Sequence, residues 1–224
     1  GMQALEWGVM YPDRVGGVVA IASTVAASAL QISLSSVQRS SIVLDPKWRE
    51  GDYYGAEPGD GPHFGLALAR QSAQISYRTE QVFNNRFGRK ELDTLDDRYT
   101  LWQRFDVEGY LDYHGAKLAR RFDANSYLVI NRAMDLHDLG RGRGGMERAL
   151  ARISAPVLTM SIDSDVLYPA YQQELIDQTL RSIGSDATHV EISSPDGHDA
   201  FLIETDAVGA ALVPFLSQIE KGDR

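Results

Sequence analysis

An apolar run, Pro156–Ile162, and a β-like run, Thr188–Ser193, constrain this chain more than any other feature. Each is too short for a helix, each ends in a polar turn, and each leads into a stretch with helical spacing. The first ends in Asp163-Ser164-Asp165. The second ends in Ser194-Pro195-Asp196-Gly197-His198-Asp199, before a helical run from about Ala200. Short apolar strands alternating with helices predict parallel pairing in an α/β sheet. An acid after one strand and a histidine after the next is the tail of a Ser…Asp…His chain order. In that order His198 is the general base, and Asp163 or Asp165 orients it and stabilises the imidazolium.

The N-terminal residues supply a third strand. Met2, Leu5, Val9 and Met10 recur at helical spacing, and Tyr11-Pro12 stops that helix. The valine-rich run Val15–Ser23 then reads as a strand buried on both faces. Between about Thr24 and Gly145 nothing reads as buried strand. Helices are predicted over 26–44, 64–87, 107–120 and 124–136, with Asp123-Ala124-Asn125-Ser126 as a polar cap for the last. The expected organisation is therefore residues 1–25 and 146–224 as part of an α/β core, and 26–145 as an inserted all-helical lid. In the second part of the core, helices are predicted over 146–152, 170–182 and 200–220. Three strands are few for a doubly wound sheet, so further strands are expected on the N-terminal side.

Composition narrows the function. Of 224 residues, 43% are hydrophobic and 24% charged, as in ordinary globular domains. With 22 Lys plus Arg against 31 Asp plus Glu, the formal net charge of −9 argues against nucleic acid as a partner. The absence of cysteine excludes disulfides, thiolate metal sites and a cysteine nucleophile, and agrees with a reducing cytoplasm. No apolar run approaches the ~20 residues of a membrane span. The N-terminus lacks the basic and cleavage segments of a signal peptide.

Several runs carry a family resemblance: Gly1-Met2-Gln3-Ala4-Leu5-Glu6-Trp7, Arg70 with Tyr77, Tyr99-Thr100-Leu101-Trp102, Phe122-Asp123-Ala124-Asn125-Ser126-Tyr127-Leu128, and Gly197-His198-Asp199-Ala200-Phe201-Leu202. The chain resembles the homoserine O-acetyltransferases over essentially its whole length. The resemblance implies an α/β-hydrolase core with a helical lid. It implies a ping-pong transfer of acetyl from acetyl-CoA, through an acyl-serine, to the hydroxyl of L-homoserine in methionine biosynthesis. Acetyl-CoA is then a co-substrate and no resident cofactor or metal is expected; a cytoplasmic homodimer formed through lid helices is. In the family the nucleophile elbow reads roughly Gly-Gly-Ser-Met-Gly-Gly-Met-Gln. Gly1 matches its last glycine, so the serine is expected before Gly1 and the 224-residue chain alone is expected to be inactive. That start fits a piece of a longer protein, a shortened gene starting at Met2, or preceding residues outside this sequence.

The resemblance also assigns residues. Asp165-Val166-Leu167-Tyr168 matches the family's acid motif and selects Asp165, leaving Asp163 as a turn former. Arg70 and Tyr77 lie seven apart on one face of a predicted helix. The resemblance puts them in the site, with the guanidinium suited to a substrate carboxylate. Asp199 is similar to a residue holding the substrate ammonium group; the other reading of it is an N-cap. His63, His114, His137 and His189 lack the strand-to-turn context of a base. Gly140–Gly145 matches G-x-G-x-x-G without a preceding strand and is expected to be a flexible hinge rather than a dinucleotide site. Asp135-x-His137-Asp138 reads as a polar face, and Trp48, Tyr53 and Tyr54 as lid packing. Rivals within the same fold are a succinyl-CoA or serine-specific acyltransferase and an esterase. A catalytically dead fragment is the rival from another class.

Overall fold

A computed structural model describes residues 1–57, 59–92 and 104–222. The run Tyr99–Trp102 lies outside them. The chain opens with helix α1 (Met2–Met10), a 3-10 turn at Pro12–Arg14, and strand β1 (Val18–Ile21). Helices α2 (Ala29–Val43), α3 (His63–Ser76), α4 (Glu80–Arg86), α5 (Asp106–Ala119) and α6 (Ala124–Asp135) follow. The α/β pattern resumes with α7 (Met146–Leu150), β2 (Val157–Ile162), α8 (Ala170–Ser182), β3 (Ala187–Ile192), α9 (Ala200–Ile203) and α10 (Thr205–Gly222). No single helix among the described residues is long and apolar enough to cross a membrane.

Two compact units result: Gly1–Ser28 with Leu136–Arg224, and Ala29–Asp135. The division leaves residues 136–145 with the core rather than with the helices. Long-range bonds within the core unit explain this. Leu139 N donates to Val25 O (2.8 Å) and Ala27 N to His137 O (3.1 Å). Arg143 grips Glu6 through both guanidinium arms (2.7 and 3.2 Å). The glycine run expected to be a flexible exit is thus tied down; Gly145 N also donates back to Gly140 O.

In the core unit the sheet order is β1-β2-β3, all parallel, with Val18 opposite Val157 and Val157 opposite Ala187. All six residues of β2 are buried, as a central parallel strand requires. Val18, Ala20 and Val157 pack with Leu5, Val9, Ile176 and Leu180 of α1 and α8. Leu158, Met160 and Ile162 pack with Phe215 of α10 on the other face. β3 departs from the expected buried strand: Thr188 and Glu191 are exposed and only Ile192 is buried. Among the described residues it pairs with β2 alone. The expected 200–220 helix is two helices bent by 68°, broken at Glu204, whose ψ of 54° leaves the helical range. Ser194 Oγ donates to the Glu204 carboxylate (2.8 Å), so the break is bonded to the histidine turn.

The helical unit has its own core of Ile42, Leu66, Ala69 and Ala124. α3 and α5 approach closely at Gly115, where a Cβ would lie 2.8 Å from the Ala67 carbonyl. The expected 64–87 helix is interrupted after Ser76, and Thr79 Oγ1 accepts from Val82 N (3.2 Å) to cap α4. Asp123 caps α6 as expected, accepting from Ser126 N (2.7 Å). It also accepts from the Tyr53 and Tyr54 hydroxyls, while Asn125 accepts from Trp48 Nε1 (2.9 Å). The aromatic loop is therefore lid packing, anchored to the Asp-Ala-Asn-Ser turn. Burial, and then the bond to Asp123, push the Tyr53 hydroxyl above its usual range.

Candidate active site

The turns after β2 and β3 lie side by side because those strands are parallel and paired up to Ile162 opposite Ile192. Open parallel sheets bind ligands at these carboxyl ends. Asp165, whose side chain is fully buried, accepts from His198 Nδ1 through Oδ2 at 2.8 Å. Its other oxygen accepts from the backbone N–H groups of Leu167 (2.8 Å) and Tyr168 (2.9 Å). The carboxylate therefore sits in one orientation, and its partner must carry a proton on Nδ1. That tautomer puts the ring's acceptor lone pair on Nε2. The His198 side chain is 17% exposed, and its ring lies between Tyr168 (5.2 Å) and Phe201 (5.4 Å).

Asp163 has a different job. It accepts from Ser193 Oγ (2.6 Å) and Ser194 N (3.0 Å), which hold its carboxyl below the usual carboxylate range. Ser164 Oγ donates to Ser194 O (2.5 Å) and accepts from Gly197 N (3.1 Å). The acid turn and the base turn are stitched together by these bonds. Gly197 has φ +68°, a left-handed conformation that suits glycine, and it reverses the chain just before His198. Asp199 precedes α9, and its side chain makes no capping hydrogen bond there.

In the helical unit, the Arg70 guanidinium lies over the Tyr77 ring, 5.0 Å from its centre. Arg70 also donates to Gln74 Oε1 (2.8 Å), and buried Gln74 donates to the Tyr110 hydroxyl (2.8 Å). Tyr127 titrates high, chiefly through burial and then the nearby Tyr77, with Arg70 opposing. Gln74, Tyr110 and Tyr127 therefore belong with Arg70 and Tyr77. Only Tyr127 had a signal in the sequence, since it falls within the run Phe122–Leu128.

The other histidines have local partners or surroundings. His137 is buried, donates from Nε2 to Thr24 O (3.1 Å), and is lowered by desolvation. His189 spans Thr159 Oγ1 (2.9 Å) and Ser161 Oγ (3.2 Å) across the sheet. His114 packs on Tyr110 and is lowered by burial and then by Arg70. His63 is exposed. Among the described residues no three His, Asp or Glu side chains are placed to hold a metal ion. Asp135 pairs with Arg39 (2.5 Å).

No family model matches the chain. It is 46% identical over 220 residues to a homoserine O-acetyltransferase of Carboxydothermus hydrogenoformans, covering 98% of this chain and 57% of the relative. It is 48% identical over 219 residues to one of Clavibacter michiganensis, covering 96% and 55%. The chain thus spans little more than half the length of these relatives. Among solved structures it resembles a homoserine O-acetyltransferase from Bacillus anthracis (TM-score 0.87, 24% identity, 96% of this chain and 57% of that one). It also resembles esterase E22 (0.84, 26%, 96% and 58%). The fold is that of the α/β-hydrolases.

Proposed function

On the premise that this chain is homologous to the C-terminal part of homoserine O-acetyltransferases, we propose that it is that part of an enzyme moving acetyl from acetyl-CoA to the hydroxyl of L-homoserine, a step toward methionine. The observation that carries the reading is the pairing of buried Asp165 with His198 at consecutive strand ends, in a chain nearly half identical to such relatives. In this mechanism the nucleophile is a serine on the polypeptide preceding Gly1. His198 Nε2 takes its proton as it attacks the thioester, and the proton leaves with CoA. His198 then deprotonates the homoserine hydroxyl, which attacks the acyl-serine; the ester bond to serine breaks and the imidazolium returns the proton to the serine oxygen. Asp165 holds the imidazole in place and stabilises its cation. Arg70 suits the substrate carboxylate, since a guanidinium binds one bidentately, and Asp199 suits the ammonium group. Acetyl-CoA is a co-substrate, with no resident cofactor. The setting is cytoplasmic, and the lid helices form a homodimer.

Free thiol released from acetyl-CoA by the complete polypeptide, with and without L-homoserine, tests this. Homoserine-dependent release with formation of O-acetylhomoserine is expected, and release indifferent to homoserine refutes it. The 224-residue chain alone is expected to release none. A second reading, ester hydrolysis, is favoured by the likeness to esterase E22. It predicts acetate as the product whether or not homoserine is present.

A further inference from the structure

The carboxyl end of β1 carries an unusual turn. Ala22 has φ +44°, a left-handed conformation that costs a residue with a Cβ and persists only where its surroundings enforce it. The next two residues, Ser23 and Thr24, are 4% and 3% exposed. The enforcing contacts are visible. Ala22 N donates to Met160 O of β2 (2.9 Å). Thr24 O accepts from buried His137, and Val25 O from Leu139 N. The carbonyl of Ser23, between them, accepts a short hydrogen bond from Gln173 Nε2 of α8.

Gln173 is fully buried. Because its nitrogen must face the Ser23 carbonyl, the amide orientation is fixed by chemistry. Its Oε1 then has no hydrogen-bond donor among the described residues. A buried acceptor without a donor is exceptional in native proteins. The start of α1 rests on the same corner: a Cβ at Gly1 would lie 2.3 Å from Ser23 Cβ and 2.4 Å from Ser23 Oγ. A chain entering α1 therefore passes the turn that Gln173 holds.

We infer that Gln173 is a positioning residue with a two-ended carboxamide: the nitrogen fixes the Ala22–Thr24 turn, and the oxygen accepts from a backbone N–H of the residues leading into Gly1. This rests on the proposed reading, in which those residues bear the nucleophilic serine. Gln173 would then set where that serine stands relative to His198, which follows β3, two strands from the turn that Gln173 holds. Gln173 touches neither substrate nor the reacting atoms.

The test uses the complete polypeptide as wild type, Gln173→Met and Gln173→Glu. Met keeps the volume and removes both ends of the clasp; Glu keeps acceptors and loses the donor to Ser23. A fluorophosphonate probe reads activation of the serine without any need for the acetyl acceptor. Displacement of a reacting group by about 1 Å costs on the order of 100-fold. Both variants should therefore label roughly 10- to 100-fold more slowly, with kcat falling alongside and KM for homoserine within about twofold. Rates are referred to folded protein counted by its thermal transition, so a merely destabilised variant keeps the wild-type rate per folded molecule. Labelling and kcat within about threefold of wild type overturns the clasp. So does a parallel rise in KM with kcat unchanged, or a wild-type polypeptide that takes no label. If wild type labels and the variants label slowly, but homoserine is not acetylated, the clasp stands and the acetyltransferase reading falls.

Discussion

Replacing Asp165 by asparagine separates the two functions of that carboxylate. Oδ1 accepts from Leu167 N and Tyr168 N, and Oδ2 from His198 Nδ1. In Asp165→Asn the amide oxygen can keep both backbone bonds, so the turn survives. The amide nitrogen then faces Nδ1, and two donors cannot bond. The imidazole must turn, or shift its proton to Nε2, where it no longer accepts one from a hydroxyl. In a serine-protease triad this exchange of acid for amide costs about 10⁴ in kcat. The same geometry here predicts a loss of about 10³- to 10⁴-fold, or ~4–5.5 kcal/mol of transition-state stabilisation at 1.36 kcal/mol per decade. Asp165→Ala behaves differently in stability. It strands two backbone N–H groups, at about 1–3 kcal/mol each if no water reaches them, whereas Asn should stay within about 1.5 kcal/mol of wild type. The assay is steady-state acetyl transfer by the complete polypeptide, with urea unfolding of the same preparations. An Asp165→Asn enzyme within tenfold of wild-type kcat would refute the orientation argument. Equal destabilisation by Asn and Ala would show that the backbone bonds do not hold the turn.

Asp163 titrates below the usual carboxylate range because Ser193 and Ser194 bond to it. Its stabilising effect is therefore present above its unfolded pKa of about 3.9 and drains as pH falls through its lower folded value. Asp163→Asn should remove roughly 0.5 kcal/mol of that acid dependence, a small figure because the group is exposed, and unfolding curves between about pH 5 and 2.5 would show it. Tyr53→Phe loses a donor to Asp123 and an acceptor for Asn125 N. It should cost about 1–3 kcal/mol in urea unfolding, and an unchanged midpoint would contradict the anchoring role of the aromatic loop. Arg70→Lys keeps the charge but loses the planar fork. An increase of about tenfold in KM for homoserine is expected with kcat little changed, and an unaltered KM would remove Arg70 from the carboxylate site.

Much of the core was legible because it is local. The wholly apolar or small residues of Val157–Ile162 predict a strand buried on both faces, and the strand is buried throughout. The predicted helix at 170–182 matches Ala170–Ser182, because its spacing and the preceding proline are properties of neighbouring residues. The order acid-then-histidine along the chain was readable for the same reason. Periodicity does not reveal which partner a side chain meets across the fold. Asp163 and Asp165 are equivalent as local sequence, and motif resemblance alone separated them. In the structure one grips Ser193 and Ser194 from an exposed position, and the other is buried against His198.

The remaining features also depend on long-range contacts. The break at Glu204 accompanies a bond from Ser194, ten residues back. The glycine run at 140–145 is fixed by Glu6, at the other end of the chain. Gln173 carries no motif at all, and its role follows from a carbonyl 150 residues away. The sequence by itself determined the succession of strands and helices, the segregation of an all-helical stretch, and the two turns that bear the carboxylates and the histidine. Only the tertiary structure decided where helices break and which buried amide is left with an open acceptor, and it brought the carboxylate that the motif had selected against the histidine. Backbone preference and burial pattern act between near neighbours, whereas these bonds form only when parallel strands bring distant turns to one end of a sheet.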